Sequence, residues 1–294
     1  MNAGAKLAGF AAALAASFGG AAALGSAVGP IDVADGTTTH SGMTDVSNAG
    51  TATALQRGLA VAEAGYRLAL DTTTVAAGSA SSFAFTVLDD RGAPVTSFDE
   101  LHQRRLHLIV LSRNLVGFHH LHPTMDAIGH WSVDLPALEP GSYRFFADFQ
   151  PTGAENLTLG ADVTVAGDVL AVATPAPAAT FAVDDLVVAL AGTPMVGDAE
   201  LSFTVERDGA AVTTDPYLGA SGHLVAIRVG DLAYLHVHPH DGTSPVITFT
   251  GEFPTAGTYR LFLDFSIDGT VRTAAFTVSV PDIDAPPTTH PKGH

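Results

Sequence analysis

The feature that most constrains this chain is an internal duplication. Residues 107–149 align with residues 223–265 at a constant offset of 116 without a gap, and 11 of the 43 positions are identical. They include His107/His223, His120/His236, His122/His238, Pro123/Pro239, Gly141/Gly257, Tyr143/Tyr259, Arg144/Arg260, Phe146/Phe262 and Asp148/Asp264. The likeness reaches upstream with small slips, from Phe83-Ala-Phe-Thr-Val87 to Leu201-Ser-Phe-Thr-Val205. A period of this length predicts two copies of one domain rather than a stack of short repeats. Thr174-Pro-Ala-Pro-Ala-Ala-Thr180 lies between the copies and reads as a stiff spacer.

Within the first copy, apolar runs at 66–72, 82–88, 106–112, 116–122, 130–135, 143–149 and 157–165 are strand-length and separated by turn residues. Seven such strands predict an immunoglobulin-like sandwich, so the fold class expected is all-β, two tandem sandwiches preceded by an N-terminal hydrophobic helix. Gly141-Ser-Tyr143 and Gly257-Thr-Tyr259 match the corner where such sandwiches place a tyrosine. The alternation beyond it assigns Tyr143, Phe145, Ala147 and Phe149 to the core, with Arg144, Phe146 and Asp148 on the other face.

The remaining segments complete the domain map. Leu7–Ile31 carries no charge and follows Lys6, so residues 1–31 read either as an export signal, cleaved near Ala27, or as a membrane anchor. Residues 32–56 are a polar linker holding His40 and Met43. Sandwich one is expected at 57–168, the spacer at 169–180, sandwich two at 181–281, and a disordered tail with His290 and His294 at 282–294. Location outside the cytoplasmic membrane, secreted or anchored, follows from the first segment.

Both copies contain H-x12-H-x-H-P. In the second, Gly230-Asp231 suits a two-residue hairpin turn pairing Val229 with Leu232, which makes every partner pair sum to 461. His223 would then oppose His238 and lie one diagonal from His236. In the first copy Asn114-Leu115 is the expected turn, and His107, His120 and His122 take the same arrangement. Three imidazoles on one face can surround an ion at about 2 Å each. The competing reading is a packing or hydrogen-bonding role. Asp148 and Asp264 are either a further ligand, an orienting partner for a ligand histidine, or ion-pair partners of Arg144 and Arg260. His119, His130, Met125 and His240 adjoin the motifs but have no counterpart in the other copy.

Composition narrows the chemistry. The chain has no cysteine, which removes disulfides, thiolate sites and cysteine nucleophiles. Its net charge of −17 disfavours nucleic acid and draws cations. Imidazole and carboxylate donors suit a copper ion or, alternatively, a zinc ion, and Met125 would tolerate Cu(I). No G-x-S-x-G, H-E-x-x-H or phosphate loop occurs, so an enzyme is not expected.

The histidine motif and the G-x-Y-R-x-F-x-D-F motif, with two sandwiches behind an export segment, resemble His-rich secreted or membrane-anchored actinobacterial proteins. More distantly they resemble the YtkA-like and CopC-like copper-binding envelope domains. That resemblance covers most of residues 57–280 and implies metal handling, often of copper, with an envelope metal-handling protein as partner. A ligand at the mature N-terminus and Met-rich loops, both found in CopC-like domains, are absent from this sequence. The function expected is metal storage, delivery or resistance, with one three-His site per domain. The alternative is a structural or adhesive module with incidental histidines.

Overall fold

A computed structural model describes residues 56–235, 237–240 and 245–282, and the side chain of His238 is not among what it describes. The expected N-terminal helix, His40, Met43, His236, His290 and His294 lie outside these residues. All the described residues belong to one unit of the chain, Thr53–His294.

Every described element is a strand. In the first sandwich one sheet runs Ala62–Glu63, Tyr66–Leu70, Ser81–Leu88, His130–Leu135, Thr124–Met125. The facing sheet runs Thr74–Ala76, Leu157–Ala166, Gly141–Pro151, Leu106–Ser112, Phe118–Leu121, and Phe98–Asp99 pairs with its central strand. The short Thr74–Ala76 strand runs parallel to Leu157–Ala166, while all other pairs are antiparallel. This strand order is that of an immunoglobulin-type sandwich, in which the first strand is split between the two sheets.

The second sandwich repeats this order, without the short parallel strand among its described residues. One sheet runs Thr180–Val183, Leu186–Ala191, Gly197–Arg207, Val246–Phe253, Val237–Pro239, with Ala210–Ala211 beside Gly197–Arg207. The other runs Tyr234–Leu235, His223–Arg228, Gly257–Ile267, Thr270–Val280.

Each sandwich closes over its own core, with Phe83, Phe85, Trp131, Phe145 and Phe149 in the first and Phe203, Phe249, Tyr259, Phe265 and Phe276 in the second. The tyrosine corners form: Tyr143 Oη donates to the Glu139 carbonyl at 3.0 Å and Tyr259 Oη to the Thr255 carbonyl at 2.8 Å. The alternation beyond them is as the sequence pattern requires. Tyr143, Phe145, Ala147 and Phe149 join the first core, and Phe146 does not.

That second face is nevertheless buried. Ile109, Leu111, Leu115 and Phe146 of the first sandwich form a third apolar cluster with Val225, Ile227, Leu232, Tyr234 and Phe262 of the second. The contact is reciprocal in the 116-residue offset. Phe118 stacks on Phe262 with ring centroids 4.2 Å apart, and the equivalent pair, Tyr234 on Phe146, lies at 5.6 Å. Equivalent surfaces thus face one another, as in an isologous dimer but within one chain. Arg57–Leu59 are laid along the seam. The Tyr234 amide donates to the Arg57 carbonyl, and the Arg144 guanidinium donates to the carbonyls of Gly58 and Leu59. Gly58 is required there: its φ is +74°, and a Cβ would come within 2.5 Å of the Phe146 ring.

Candidate metal centre

The hairpins that carry the histidines keep the predicted register. Leu108 pairs with Leu121 and Ile109 with His120 in the first copy, and Ala226 with Leu235 and Ile227 with Tyr234 in the second. Each pair falls on the expected sum. The turns are wider than expected: closure is at Ser112/Gly117 and Arg228/Ala233, giving four-residue loops rather than two-residue ones. Side-chain acceptors explain this. Asn114 Oδ1 accepts from the Val116 amide and Asp231 Oδ1 from the Ala233 amide, while Leu115 and Leu232 take φ of +65°. Register survives because the widening is the same on both strands.

Beyond the hairpins each chain segment leaves its sheet. In the first copy it crosses after Leu121 and re-pairs at Thr124–Met125 with the opposite sheet. In the second it crosses earlier: Val237–Pro239 already pairs with Val246–Phe253, placing His238 across from Thr250. The ladder opposition of His223 and His238 is therefore not made. Pro123 and Pro239 lie at these crossings, where a missing amide is tolerated.

His107, His120 and His122 come together, each offering a nitrogen within 4.8 Å of the others. His107 is 3% exposed. Its Nε2 donates to the Leu101 carbonyl at 2.9 Å, and its Nδ1 faces His120 Nε2 at 2.9 Å. His120 Nδ1 in turn donates to Asp264 Oδ2 of the second sandwich at 2.8 Å, and both side chains are 3% exposed. These partners fix the tautomers. A carbonyl and a carboxylate only accept, so His107 carries its proton on Nε2 and His120 on Nδ1. When both rings are neutral, two lone pairs then point at each other across 2.9 Å. Only a cation between or beside them, a proton or a metal ion, relieves that.

Two further nitrogens lack a hydrogen-bond partner although buried: His122 Nε2 and His223 Nε2. The His223 ring centroid is 5.2 Å from that of His107 and 5.3 Å from that of His120. Within the first triad the centroids are 4.8–5.1 Å apart. His223 thus adjoins the first cluster, from the other domain. Burial, then the neighbouring imidazoles, push His107 down to about 4 and His122 down to about 3, and drive His223 lower still. Neutral imidazole is the ligating form.

The two aspartates are equivalent in sequence and differ in contact. Asp264 lies in the ladder across from His223, holds His120 and accepts from Thr273 Oγ1. Asp148 lies across from His107 and accepts from Asn156 Nδ2 and Thr158 Oγ1. The alternative of ion pairs with Arg144 and Arg260 is not among these contacts. Arg144 binds Asp162 and the seam carbonyls, and Arg260 donates to the Leu115 carbonyl and Thr277 Oγ1. Elsewhere, His130 pairs with Asp71 and His240 with Thr250.

One neighbour escaped the motif reading. His102 lies 4.6 Å, ring to ring, from His223 and 6.1 Å from His107. It sits in a tight turn between Leu101 and Arg104, with φ of +50° at His102 and +63° at Gln103. The equivalent turn in the second copy carries Leu218 and Gly219. A search for residues repeated at the offset passes over it for that reason; its nearness in sequence to His107 was the available signal.

Comparison with known families gives one decisive result. A family model described as a domain of unknown function, DUF8832, matches residues 60–167 and again 181–282. The chain belongs to the DUF8832 family. Both sandwiches of this DUF8832 protein are thus accounted for as copies of one domain. No curated protein matches the chain. Among solved structures it is similar to the Escherichia coli adhesin FdeC (15% identity, TM-score 0.25, covering 74% of this chain and 64% of that one). It is also similar to Yersinia pseudotuberculosis InvD (18%, 0.24, 74% and 57%) and to the Ig1-2 module of the Drosophila receptor tyrosine phosphatase DLAR (10%, 0.21, 74% and 99%). The chain spans about three fifths of the first two. Likeness at these scores carries no inference about the site, and none of these matches carries the resemblance to YtkA-like or CopC-like domains. Among the described residues no helix is long and apolar enough to cross a membrane.

Proposed function

We propose that this DUF8832 protein is an extracytoplasmic metal-binding module, using His107, His120 and His122 to hold a copper ion or, alternatively, a zinc ion, for storage, delivery or resistance. One observation carries the reading. The partners of His107 and His120 turn two lone pairs toward the same point, and His122 Nε2 is buried there without a hydrogen-bond partner. Metal-ligating histidines characteristically give their second ring N–H to a carbonyl or carboxylate, and here Leu101 and Asp264 take those roles. With bonds of about 2.0–2.1 Å, nitrogens at the separation of His107 and His120 subtend roughly a right angle at an ion, which suits tetragonal Cu(II) directly and tetrahedral Zn(II) after slight opening. Of the expected second site, His223, His236 and His238, residue 236 and the side chain of residue 238 lie outside what the structure describes.

A second reading has its own observation. The His120–Asp264 contact ties the two sandwiches together without any ion. A structural or adhesive module would use the cluster as a hydrogen-bonded clasp, with a shared proton between His107 and His120.

Metal titration separates the two. The wild type should take up Cu(II) or Zn(II) tightly, and the His107→Ala/His120→Ala/His122→Ala variant should lose one equivalent. Unchanged stoichiometry in that variant would leave only the clasp.

A further inference from the structure

We infer that His223 of the second sandwich is a ligand of the ion held by His107, His120 and His122, so that the ion bridges the two domains. This rests on the metal-binding reading above and goes beyond it, since that reading takes all its ligands from the first sandwich.

Three observations converge on residue 223. The first is distance: its ring stands 5.2 Å from that of His107 and 5.3 Å from that of His120, just beyond the 4.8–5.1 Å that separate the members of the triad. The second is an unmet need. In the first sandwich His107 gives Nε2 to the Leu101 carbonyl. The equivalent carbonyl in the second sandwich, that of Tyr217, keeps the same amide donor, Ala220 in place of Arg104, but takes no bond from His223, whose Nε2 is left buried and without a hydrogen-bond partner. A buried polar atom in that state carries an uncompensated desolvation cost, which coordination removes. The third is placement. His223 shares a ladder rung with Asp264, the residue that turns His120. One rung of the second sandwich thus supplies both a ligand and the group that orients a ligand on the first.

Four neutral imidazoles complete the usual shell of Zn(II) or a tetragonal plane of Cu(II). Two buried carboxylates, Asp264 and Asp148, lie behind them to balance a dication. Because the donors come from both sandwiches, the ion and the apolar seam reinforce one another. Whatever docks the domains preorganises the site, and the ion holds the docked state by mass action.

The decisive experiment uses the absence of cysteine from the whole chain. The full-length His223→Cys variant is loaded with Co(II), a spectroscopic substitute for zinc. Direct ligation by residue 223 must produce an intense near-ultraviolet thiolate-to-cobalt charge-transfer band that the cobalt-loaded wild type lacks. His223→Ala should bind Zn(II) at least about tenfold more weakly in competition with a chromophoric chelator, since losing even an outer partner costs about 10–100-fold. Cobalt bound to the Cys variant without the band, or wild-type zinc affinity in His223→Ala, overturns the bridging ion and leaves the three-histidine site standing. Failure of the wild type to bind Co(II), Zn(II) or Cu(II) overturns both. Should His223→Ala not fold, the Cys variant decides alone, because its band reports contact with the metal and not stability.

Discussion

The imidazoles differ in what holds them, and the differences have consequences. His107, His122 and His223 are kept neutral chiefly by burial. Their ordinary value of 6.5 applies in the unfolded chain, so between about 6.5 and 4 the unfolded state binds protons that folded His107 refuses. A depressed histidine pKa therefore destabilises the fold as pH falls. Metal-free protein should be most stable above pH 6.5 and should lose stability steadily toward pH 4, as chemical denaturation at a series of pH values will show. A flat profile would mean that the rings are solvated. His120 is held instead by Asp264, across the domain boundary. Asp264→Ala strips a buried donor of its acceptor and removes the partner of Thr273 as well. It should cost about 2–4 kcal/mol in denaturant unfolding and weaken metal binding about 10–100-fold, whereas a surface change such as Asp168→Ala should do neither.

Among elements, the paired hairpins show how far spacing can be trusted. Register was legible because the apolar alternation and the turn residues agree, and a one-residue slip would have reversed every face. Turn width was not, since it is set by acceptors on Asn114 and Asp231 that compete with the simpler two-residue turn. The crossing of the second hairpin into the opposite sheet was also hidden: Pro239 marks it, but the crossing comes before the proline rather than after it. The tyrosine corners were readable because they are local, each linking residues four apart in sequence. The seam role of Arg57–Leu59 was not, since the sequence assigns them only to the start of the first sandwich and nothing in it marks a contact with the second. The fit of the segment is close. Gly58→Val should cost more than about 2 kcal/mol, because it combines a left-handed backbone with a clash against Phe146. A change below about 0.5 kcal/mol in the thermal unfolding of that variant would mean the segment does not pack on the seam.

At the scale of the molecule, the two sandwiches were legible and their docking was not. Phe146 and Phe262 fall on the face opposite the core, which a single-domain reading assigns to solvent. The clue was the Leu106–Ser112 strand, buried along its whole length. A strand apolar on both faces needs a cover on both faces. Here the second cover is the other domain, and it brings His223 and Asp264 to the first triad. Removing the Phe262 ring should cost about 3–5 kcal/mol. It should also split one calorimetric unfolding transition into two, because the seam is what couples the domains; a single sharp transition in Phe262→Ala would contradict that coupling.

The central claim is that buried imidazoles from this interface ligate one metal ion, and X-ray absorption at the metal edge of the zinc- or copper-loaded protein tests it most directly. The account predicts a shell of four nitrogens at about 2.0 Å with the outer scattering that imidazole rings produce, falling to three rings in His223→Ala. A shell of oxygens without imidazole scattering, or no metal retained after dialysis, would contradict it.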